Sequence, residues 1–559
     1  MAVVLVSFFY IFLVLRGIGA LSSYLLKKMF GIERTSLIEQ LFMSVMLISV
    51  FAEYFSIFGK VGALCHIIVL ICAAGGFWLE RKNIKEEITS IKKVIFSWEG
   101  LFYLGFALFI AFYTSRGTFH TDTNIYHASA IRMYEEYGLI KGMGNLQLHY
   151  AYNSAYIAFA SVFSMNWLFG KSIHTTTGFL ELMLAVYSMY SLKRYKSHMY
   201  HIADMMKVGI LFYILVILNG SMSPATDYAT MMLALLVMSL WCDQMENGRD
   251  VLKYALLSVF AVFVVTLKFS ACMMVLIAIY PAVMLIKKKD IRNILRYLCF
   301  GIVILAPFLI RNYLISGWLL YPFDGIDIFD VAWKVPKEYL LVDEQQIKVW
   351  GRCLYDVKLI DMPIKEWVPV WLEHQDRYEM MLIYGIVVGG LFSLVYGVRN
   401  FLKKKPFALE YLILLMSIAA CVILWFLTAP FIRYSLAFIF AVMLMPLGSW
   451  LSEQKKGFFA IGTGILAFAT IACLSPYFDN YIKDMGVFIK QNIREPYYIV
   501  QKDYDTTKVG TVEINGNTIY YCDEGEINDY HHFPNTCYKF MLERTTLAGN
   551  DIKDGFRPD

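Results

Sequence analysis

The richest group of titratable side chains in the first three hundred residues lies between two apolar runs, in residues 116–153. A carboxylate near the end of an apolar run, such as Asp122, can take a proton from a hydroxyl group presented at the membrane surface. We therefore interpret Asp122 as a candidate catalytic base, and Tyr126 and His127 as candidate substrate-binding residues. Two simpler interpretations stay open: Asp122 only caps the next helix, and His120 and His127 are only packed or solvated.

Two cations stand at the ends of apolar runs where a phosphate group is a natural partner. Lys268 lies in TLKFS and Arg433 in APFIRYS, and each follows a run that is predicted to leave the cytoplasm. A lipid phosphate or pyrophosphate would neutralise them. An ion pair with an outer carboxylate, or extension toward lipid headgroups, would do so equally well. Asp227, in SPATDY, and Arg311, after another apolar run, belong to the same predicted interface.

Together these residue types suit glycosyl transfer. That reaction needs a carboxylate to accept the proton of the attacking hydroxyl, and positive charge to stabilise the departing phosphate. Asp122 supplies the first, and Lys268 with Arg433 or Arg311 supplies the second. A divalent cation such as Mg²⁺ or Mn²⁺, held by outer acids, can assist. Threonines flank Asp122 on both sides, so the segment has no DxD pair and the metal ligands stay undetermined.

The composition predicts a membrane protein. The chain has 559 residues, of which 58% are hydrophobic and 17% charged, and its mean hydropathy is +0.54. A soluble protein of this length does not bury so much apolar surface, so an all-α polytopic membrane protein is predicted. The basic clusters are short and lie between apolar runs. That pattern is typical of topology signals and gives no reason to expect a nucleic-acid partner.

Loops rich in lysine and arginine indicate which ends of the apolar runs face the cytoplasm. Alternation then places every lysine-rich loop on one side, with about fourteen spans. The first large outer loop is residues 114–171 and the second is residues 311–379. The apolar stretch 155–169 is assigned to the outer surface, because the KRYK sequence after the next run must be cytoplasmic. The predicted spans are residues 3–26, 37–58, 61–78, 95–113, 173–192, 208–218, 229–242, 251–267, 272–286, 297–310, 382–398, 408–427, 436–451 and 458–474.

A helix is predicted for residues 124–136, because a capping residue (Thr121, Asp122 or Thr123) precedes it and Gly138 ends it. The N-terminus of that helix would favour the ionised form of the Asp122 carboxylate. The tyrosines of the helix share one face, which we expect to lie partly in lipid as a juxtamembrane element.

The polar tail, residues 476–559, is predicted to be a small extracytoplasmic α/β domain beyond the membrane domain of residues 1–475. In it, VEINGNTIYY alternates apolar and polar residues about a central Asn-Gly pair, which predicts a type I′ hairpin. Because the extracytoplasmic compartment is oxidising, Cys522 and Cys537 are predicted to form a disulfide.

The segment DTNIYHASAIRMYEEYGLIKGMGNL from Asp122, followed by AYNSAY, resembles a group of bacterial membrane proteins related to the GT-C superfamily of integral-membrane glycosyltransferases. SPATDY, SGWLLYPFDGIDIFDVAWKVP, WFLTAPFIRYS and the tail ending DGFR are similar to further blocks of that group. The resemblance implies a GT-C-like fold, a polyprenyl-phosphate sugar donor and a catalytic acid in the first large outer loop, which maps onto Asp122. The phosphate-binding role maps onto Lys268 and Arg433 by position only.

We therefore expect an inverting glycosyltransferase of the bacterial cytoplasmic membrane, with its active site on the extracytoplasmic side of the lipid bilayer. It would transfer a sugar from a polyprenyl-phosphate donor to an envelope glycan or lipid acceptor. An envelope polysaccharide polymerase and a lipid-linked oligosaccharide flippase are the alternatives. A flippase would line a cavity with cations at several depths, whereas here Lys and Arg lie mostly at the ends of the runs. A non-catalytic scaffold would tolerate replacement of Asp122.

Overall fold

The computed structural model describes residues 1–81, 97–192, 201–453, 486, 489, 497–522 and 527–559. Over these residues the chain is mainly α-helical, with a small β-containing region near its C-terminus. Among the described residues, eight helices are long and apolar enough to cross a membrane, and four apolar helices are shorter. A helical membrane protein is therefore supported. The count of about fourteen spans stays a prediction, and the predicted span 458–474 lies outside the described residues.

The described helices range from single turns to segments of 29 residues. In chain order they are α1 (Ala2–Phe30), α2 (Leu37–Phe58), α3 (Ala63–Leu79), α4 (Trp98–Arg116), a π-helical turn (Thr123–His127), α5 (Ala128–Glu136), α6 (Met143–Leu146), α7 (Ala155–Phe163), α8 (Asn166–Phe169), α9 (Thr176–Leu192), α10 (Ile202–Ile217), α11 (Thr226–Asn247), α12 (Val251–Leu267), α13 (Ile279–Lys287), α14 (Ile291–Ser316), α15 (Lys337–Gly351), α16 (Ile364–Glu373), α17 (Arg377–Leu402), α18 (Ala408–Thr428) and α19 (Leu436–Ser452). Short 3₁₀ helices include Leu148–Ala151, Leu218–Gly220, Phe269–Ala278 and Ile432–Tyr434.

The long helices divide into a buried centre and an exposed apolar periphery. The most apolar window of α11 is 83% buried, whereas those of α14 and α17 are 22% and 17% buried. On α17, Val387, Leu391 and Val395 recur at helical spacing and are each more than half exposed. Apolar side chains on such a face suit contact with lipid tails. The central helix α11 begins beside the candidate site described below.

Segments that the sequence assigns to the same side of the membrane lie together in space. At the C-terminal end of α12, Ser154 of the first outer loop donates a hydrogen bond from Oγ to the Leu267 carbonyl oxygen (2.7 Å). At the other end of α12, Lys253 pairs with Glu39 at the start of α2 (3.7 Å). The C-terminal end of α12 therefore lies beside the first outer loop, and its start lies beside the start of α2. Which side of the membrane each end faces stays a prediction.

The helix predicted over residues 124–136 is present. A π-helical turn, Thr123–His127, runs directly into α5, and Gly138 follows the end of the helix with φ +82°. Of the three capping residues that the sequence offers, Asp122 is not a side-chain cap, because it makes no capping hydrogen bond. Its carboxylate faces Arg433 instead, since an ion pair competes for the same oxygens.

The tyrosine face of this helix does not lie in lipid, which corrects a second expectation. Tyr134 is 1% exposed, and its ring lies 4.0 Å below the Arg311 guanidinium carbon. The Tyr137 ring lies 6.0 Å from the ring of Phe533, in the C-terminal region. The face is covered because other parts of the chain fold back onto it, which a local periodicity does not reveal.

The apolar stretch 155–169 is divided between α7 and α8. Helix α7 has nine residues, all of them buried. Nine helical residues rise about 14 Å, less than half of a hydrocarbon core of about 30 Å. This length agrees with the assignment of the stretch to an element that does not span the membrane.

The C-terminal region contains two small sheets. Strand β1 (Val509–Ile514) pairs antiparallel with β2 (Asn517–Cys522), and β2 pairs parallel with β3 (Asn535–Thr536). A second pair is formed by β4 (Thr545–Leu547) and β5 (Phe556–Pro558). Asn515 and Gly516 join β1 to β2, and both have positive φ, 51° and 78°. The predicted hairpin with this Asn-Gly turn is therefore confirmed.

The parallel pairing of β2 with β3 brings the two tail cysteines to adjacent positions. Tyr521 lies opposite Thr536, so Cys522 and Cys537 are the next residues on neighbouring strands. Both are buried. Neighbouring strands lie about 4.8 Å apart, a separation that a disulfide spans easily. The disulfide itself stays a prediction.

The C-terminal region packs on the first outer loop rather than standing apart from it. The Tyr530 hydroxyl donates to Glu135 Oε2 of α5 (2.7 Å), and the Phe556 backbone N–H donates to the Lys141 carbonyl oxygen (2.8 Å). Tail and loop also share one cluster of buried apolar side chains. The tail therefore lies at the same end of the helices as Asp122.

Candidate functional site

Five polar side chains from four separate segments meet at this end of the helices. Two come from the first outer loop, one from the first turn of α11, one from the residue after α12, and one from the 3₁₀ turn between α18 and α19. We call them the charged cluster: His120, Asp122, Asp227, Lys268 and Arg433. Four of its members are predicted from the sequence.

Arg433 occupies the centre of the charged cluster. Its Nη2 lies 3.4 Å from Asp122 Oδ2 and its Nε lies 3.7 Å from Asp227 Oδ2. Its Nη1 donates to His120 Nε2 at 2.6 Å, because a guanidinium has no acceptor atom. The other ring nitrogen, His120 Nδ1, lies 3.1 Å from the Asp122 backbone nitrogen and 3.7 Å from Asp122 Oδ2. One guanidinium therefore holds two side chains of the first outer loop and one side chain of α11.

Lys268 is the second cation of the charged cluster. Its ammonium group donates to Asp227 Oδ1, and it lies 3.7 Å from the centre of the Tyr434 ring, where cation–π attraction is expected. Asp227 is only 3% exposed, whereas the side chains of Lys268 and Arg433 are 23% and 37% exposed. The carboxylate thus lies beneath two cations that solvent, or an anion, can reach.

The electrostatics keep the Asp122 carboxylate ionised. Burial acts to raise its pKa, but the positive charge of Arg433, followed by smaller contributions from His120, His127 and Lys268, lowers the pKa to about 2. Burial also lowers the pKa of His120, against the charge of Asp122. For Arg433 the nearby negative charges outweigh burial and raise the pKa. With two carboxylates and two cations, the charged cluster is close to neutral overall.

His127 lies behind the charged cluster. Its Nδ1 is 3.3 Å from Thr123 Oγ1, which shares a hydrogen bond with Ser223 Oγ (2.5 Å) in the loop before α11. This chain ties the first outer loop to the segment that carries Asp227. His127 Nε2 has no hydrogen-bond partner among the described residues. Burial lowers the pKa of His127 to about 3, so the ring is neutral.

Tyr126 connects the charged cluster to a group of aromatic residues. Its ring centre lies 4.2 Å from that of His127 and 5.5 Å from that of His149. Burial, followed by the negative charges of Asp122 and Asp227, raises the pKa of Tyr126 well above its usual value. The hydroxyl therefore keeps its proton and can act as a hydrogen-bond donor beside the charged cluster.

Comparison with protein families assigns the chain to one of them. The model of a domain of unknown function, DUF8201, matches residues 1–440. The chain belongs to this family. The match includes the first outer loop and every residue of the charged cluster. No curated protein and no solved structure matches the chain, so functional inference for this DUF8201 chain depends on the site itself.

Arg311, which the sequence places in the same group as Lys268 and Arg433, does not join the charged cluster of this DUF8201 chain. It is 0% exposed. It donates to Ser56 Oγ, to the Gly138 carbonyl oxygen (3.3 Å) and to Asn153 Oδ1 (3.3 Å), and Asn153 in turn donates to Glu53 Oε1 (3.5 Å). Arg311 therefore fastens the first outer loop to α2 and α14, where no incoming substrate reaches it.

Two members of the site were not singled out from the sequence. His120 was interpreted as a packed or solvated histidine, because its contact with Arg433 joins residues 313 apart in sequence. Tyr434, beneath Lys268, was missed although it adjoins Arg433. In the sequence FIRYS the aromatic Tyr434 directly follows the cation Arg433. That adjacency could have indicated that Tyr434 belongs to the site.

The charged cluster also contains a possible set of metal ligands. Ligand atoms of His120, Asp122 and Asp227 lie within 4.8 Å of one another. A histidine with two carboxylates is a donor set that divalent metals accept. In this arrangement, however, all three side chains face the Arg433 guanidinium, and Lys268 already pairs with Asp227. A divalent cation would have to displace Arg433, so these residues do not fit one as placed.

Proposed function

We propose that this DUF8201 chain is an inverting membrane glycosyltransferase. It transfers a sugar from a polyprenyl-phosphate-linked donor to an envelope glycan or lipid acceptor. In this proposal the fold is GT-C-like, with about fourteen spans, and the charged cluster faces the extracytoplasmic side of the bacterial cytoplasmic membrane. No divalent cation is assigned a role.

The observation that carries the proposal is the joining of an ionised carboxylate with two partly exposed cations. Asp122, Lys268 and Arg433 come from segments far apart in sequence and meet at the end of the helices. A purely structural ion pair needs no exposed cation. Here the side chains of Lys268 and Arg433 are 23% and 37% exposed, and they lie above the buried Asp227. Exposed cations suit binding of a phosphate anion.

The chemistry assigns a separate role to each side of the charged cluster. The donor phosphate binds Lys268 and Arg433. The acceptor hydroxyl lies against Asp122, and its oxygen attacks the anomeric carbon on the face opposite the phosphate. As that bond forms, the bond from the anomeric carbon to the phosphate oxygen breaks, and its electron pair leaves with the polyprenyl phosphate. Asp122 accepts the hydroxyl proton, and the two cations stabilise the negative charge of the leaving group.

Donor binding also prepares the base. In the free protein Arg433 faces Asp122 and is the strongest factor that lowers its pKa. When a phosphate group draws the guanidinium toward itself, that stabilisation of the carboxylate weakens. The pKa of Asp122 then rises, and a carboxylate of higher pKa is a stronger base. Proton acceptance is thereby coupled to the presence of donor.

The test is sugar transfer by the purified full-length chain in lipid nanodiscs, supplied with a panel of polyprenyl-phosphate sugars. Asp122→Asn removes the base, and turnover is expected to fall by about 10²–10⁴-fold, while binding of a polyprenyl phosphate is retained. Asp324→Asn is the matched control: that carboxylate also lies in an outer loop, but it pairs with Lys337 (2.9 Å) away from the charged cluster.

The possible results of this transfer assay distinguish the proposed glycosyltransferase from its alternatives. Loss of transfer in Asp122→Asn, with normal activity in Asp324→Asn, supports the proposal. Equal activity of Asp122→Asn and wild type would contradict it. If the wild type consumes none of the donors but binds polyprenyl phosphate, an enzyme of this type is excluded and a lipid-linked oligosaccharide flippase becomes the better hypothesis. Activity that persists after chelation of divalent cations would agree with the central place of Arg433.

A further inference from the structure

A second group of side chains begins at Tyr126 and includes residues outside the charged cluster. The rings of Tyr126, His149 and Tyr152 are mutually within 6.2 Å, centre to centre. The His149 ring is inclined by only 18° to Tyr126 and 28° to Tyr152. All three are partly exposed. We call these three residues the aromatic shelf.

A buried carboxylate lies at the edge of the aromatic shelf. Asp343, on α15, is 3% exposed. Its Oδ2 accepts hydrogen bonds from the hydroxyls of Tyr152 (2.6 Å) and Tyr321 (3.0 Å). Its Oδ1 lies 3.9 Å from His149 Nε2 and accepts no hydrogen bond from the residues that the structure describes. One oxygen of a buried acid therefore retains its full capacity to accept a donor.

The histidine of the shelf has a similar unused atom. His149 Nδ1 is buried and has no hydrogen-bond partner among the described residues. Buried polar atoms are nearly always hydrogen-bonded in folded proteins, and an exception calls for an explanation. His149 Nδ1 is explained if a ligand with several hydroxyl groups completes it, and such a ligand can also donate to Asp343 Oδ1.

The charge of the group distinguishes it from the phosphate side of the site. Lys268 and Arg433 lie in the charged cluster, whereas the contacts of Asp343 within the described chain are tyrosine hydroxyls and His149. A phosphate would be repelled by Asp343. A neutral ring with hydroxyl groups would not be, because hydroxyls donate to a carboxylate and the apolar faces of the ring pack on aromatic side chains.

We propose that the aromatic shelf and Asp343 form the subsite for a neutral pyranose ring of the acceptor. This inference rests on the proposed function, since it names the second substrate of the same site. Tyr126, a member of the shelf, lies four residues after Asp122, and its ring adjoins that of His127 behind the charged cluster. A sugar ring on the shelf therefore lies next to the carboxylate that takes its proton, and opposite the cations that hold the donor phosphate.

The proposal is tested by binding, without turnover. Methyl pyranosides of glucose, galactose, mannose and N-acetylglucosamine are the probes, and saturation-transfer NMR on the full-length chain in nanodiscs is the measurement. At least one probe is expected to bind. Tyr152→Ala and His149→Ala are expected to weaken that binding about tenfold or more, the loss of roughly one good contact. Tyr152→Phe keeps the ring and is expected to lie in between.

Two controls separate this proposal from the proposed function. Tyr355→Ala removes a tyrosine that is 61% exposed and outside the shelf, and it should bind the pyranosides like wild type. Asp324→Asn should also bind them normally, because that carboxylate pairs with Lys337 away from the shelf. If no pyranoside binds wild type, or if both His149→Ala and Tyr152→Phe bind like wild type, the subsite is refuted even where sugar transfer is found. Normal pyranoside binding without any transfer would refute the enzyme and leave the subsite standing.

Discussion

Arg433 and Arg311 are two arginines at the same end of the helices, and each lies near a tyrosine ring and a carboxylate. Arg433 is 37% exposed and faces two carboxylates and a histidine. Arg311 is 0% exposed, lies over Tyr134, and reaches Glu53 through Asn153. Residue type alone therefore does not define a binding site. Exposure to an incoming anion separates a cation that can exchange partners from one that holds the fold.

The largest expected effect comes from removing the exchangeable arginine. Arg433→Gln deletes the charge that stabilises the departing phosphate, and turnover should fall by about 10²–10³-fold. Thermal stability should change less than in an Arg311 variant, because the Arg433 side chain is partly exposed and Lys268 still pairs with Asp227. The measurements are kcat with a polyprenyl-phosphate sugar and the melting temperature of the same preparation. A large drop in melting temperature without a specific loss of kcat would remove the distinction between the two arginines.

Arg311→Gln should show the opposite pattern. It leaves the buried acceptors of Ser56, Gly138 and Asn153 without their donor, and each unsatisfied buried group costs about 1–3 kcal/mol. The melting temperature should fall, and the fraction of protein that remains folded should keep normal kcat and KM. Lys358→Gln serves as a surface control, since Lys358 lies in a short outer 3₁₀ turn with no buried residues. A folded Arg311→Gln protein with full stability but no activity would move this arginine into the site.

Arg433 and Arg311 also show which features of the site can be predicted from the sequence and which cannot. Lysine-rich loops and apolar runs bring Asp122, Asp227, Lys268 and Arg433 to one interface, and the structure joins all four. The same reasoning assigns Arg311 to the same interface as Lys268 and Arg433. It identifies which end of an apolar run a residue occupies, but not which neighbouring side chains enclose that residue. Enclosure depends on packing between segments that lie far apart in sequence, and a single sequence carries no record of that packing.

Predictions that depend on a few neighbouring residues were more reliable than predictions of contacts between distant segments. The Asn-Gly hairpin and the end of α5 at Gly138 follow from backbone preferences of a few residues, and both are present. His120 was undervalued because its partner lies 313 residues away. The tyrosine face of α5 was misplaced for a related reason: amphipathic periodicity predicts that a face is covered, but not whether lipid or protein covers it.

The third prediction concerns pH and follows from the position of Arg433 in the free protein. There the pKa of Asp122 is lowered to about 2, chiefly by Arg433 acting against burial. A depressed pKa means that the base stays ionised as pH falls, until the pH approaches that value. The acid limb of kcat/KM, which reports the free enzyme, should therefore lie at very low pH. The acid limb of kcat, which reports the donor complex, should lie at higher pH, by about one unit or more.

The same pH measurement on Arg433→Lys tests whether Arg433 causes the difference between the two acid limbs. Lysine keeps the charge but loses the fork that faces three partners at once. Asp122 should then be less strongly stabilised in the free enzyme, and the two acid limbs should move closer together. If the limbs of kcat and kcat/KM coincide in wild type, donor binding does not release Asp122 from Arg433, and the coupling of base strength to donor binding is wrong.

The smallest expected effect comes from the two tyrosine rings that lie beneath cations. Tyr434 supports Lys268 in the charged cluster and Tyr134 supports Arg311 in the buried network. A cation–π contact contributes about 0.5–2 kcal/mol, so Tyr434→Leu should raise the KM for donor by several-fold with kcat nearly unchanged. Tyr134→Leu should lower the melting temperature and leave KM alone. Because the two substitutions are chemically identical, a shared effect on KM would show that Arg311 also contacts the donor, whereas separate effects would confine donor binding to Lys268 and Arg433.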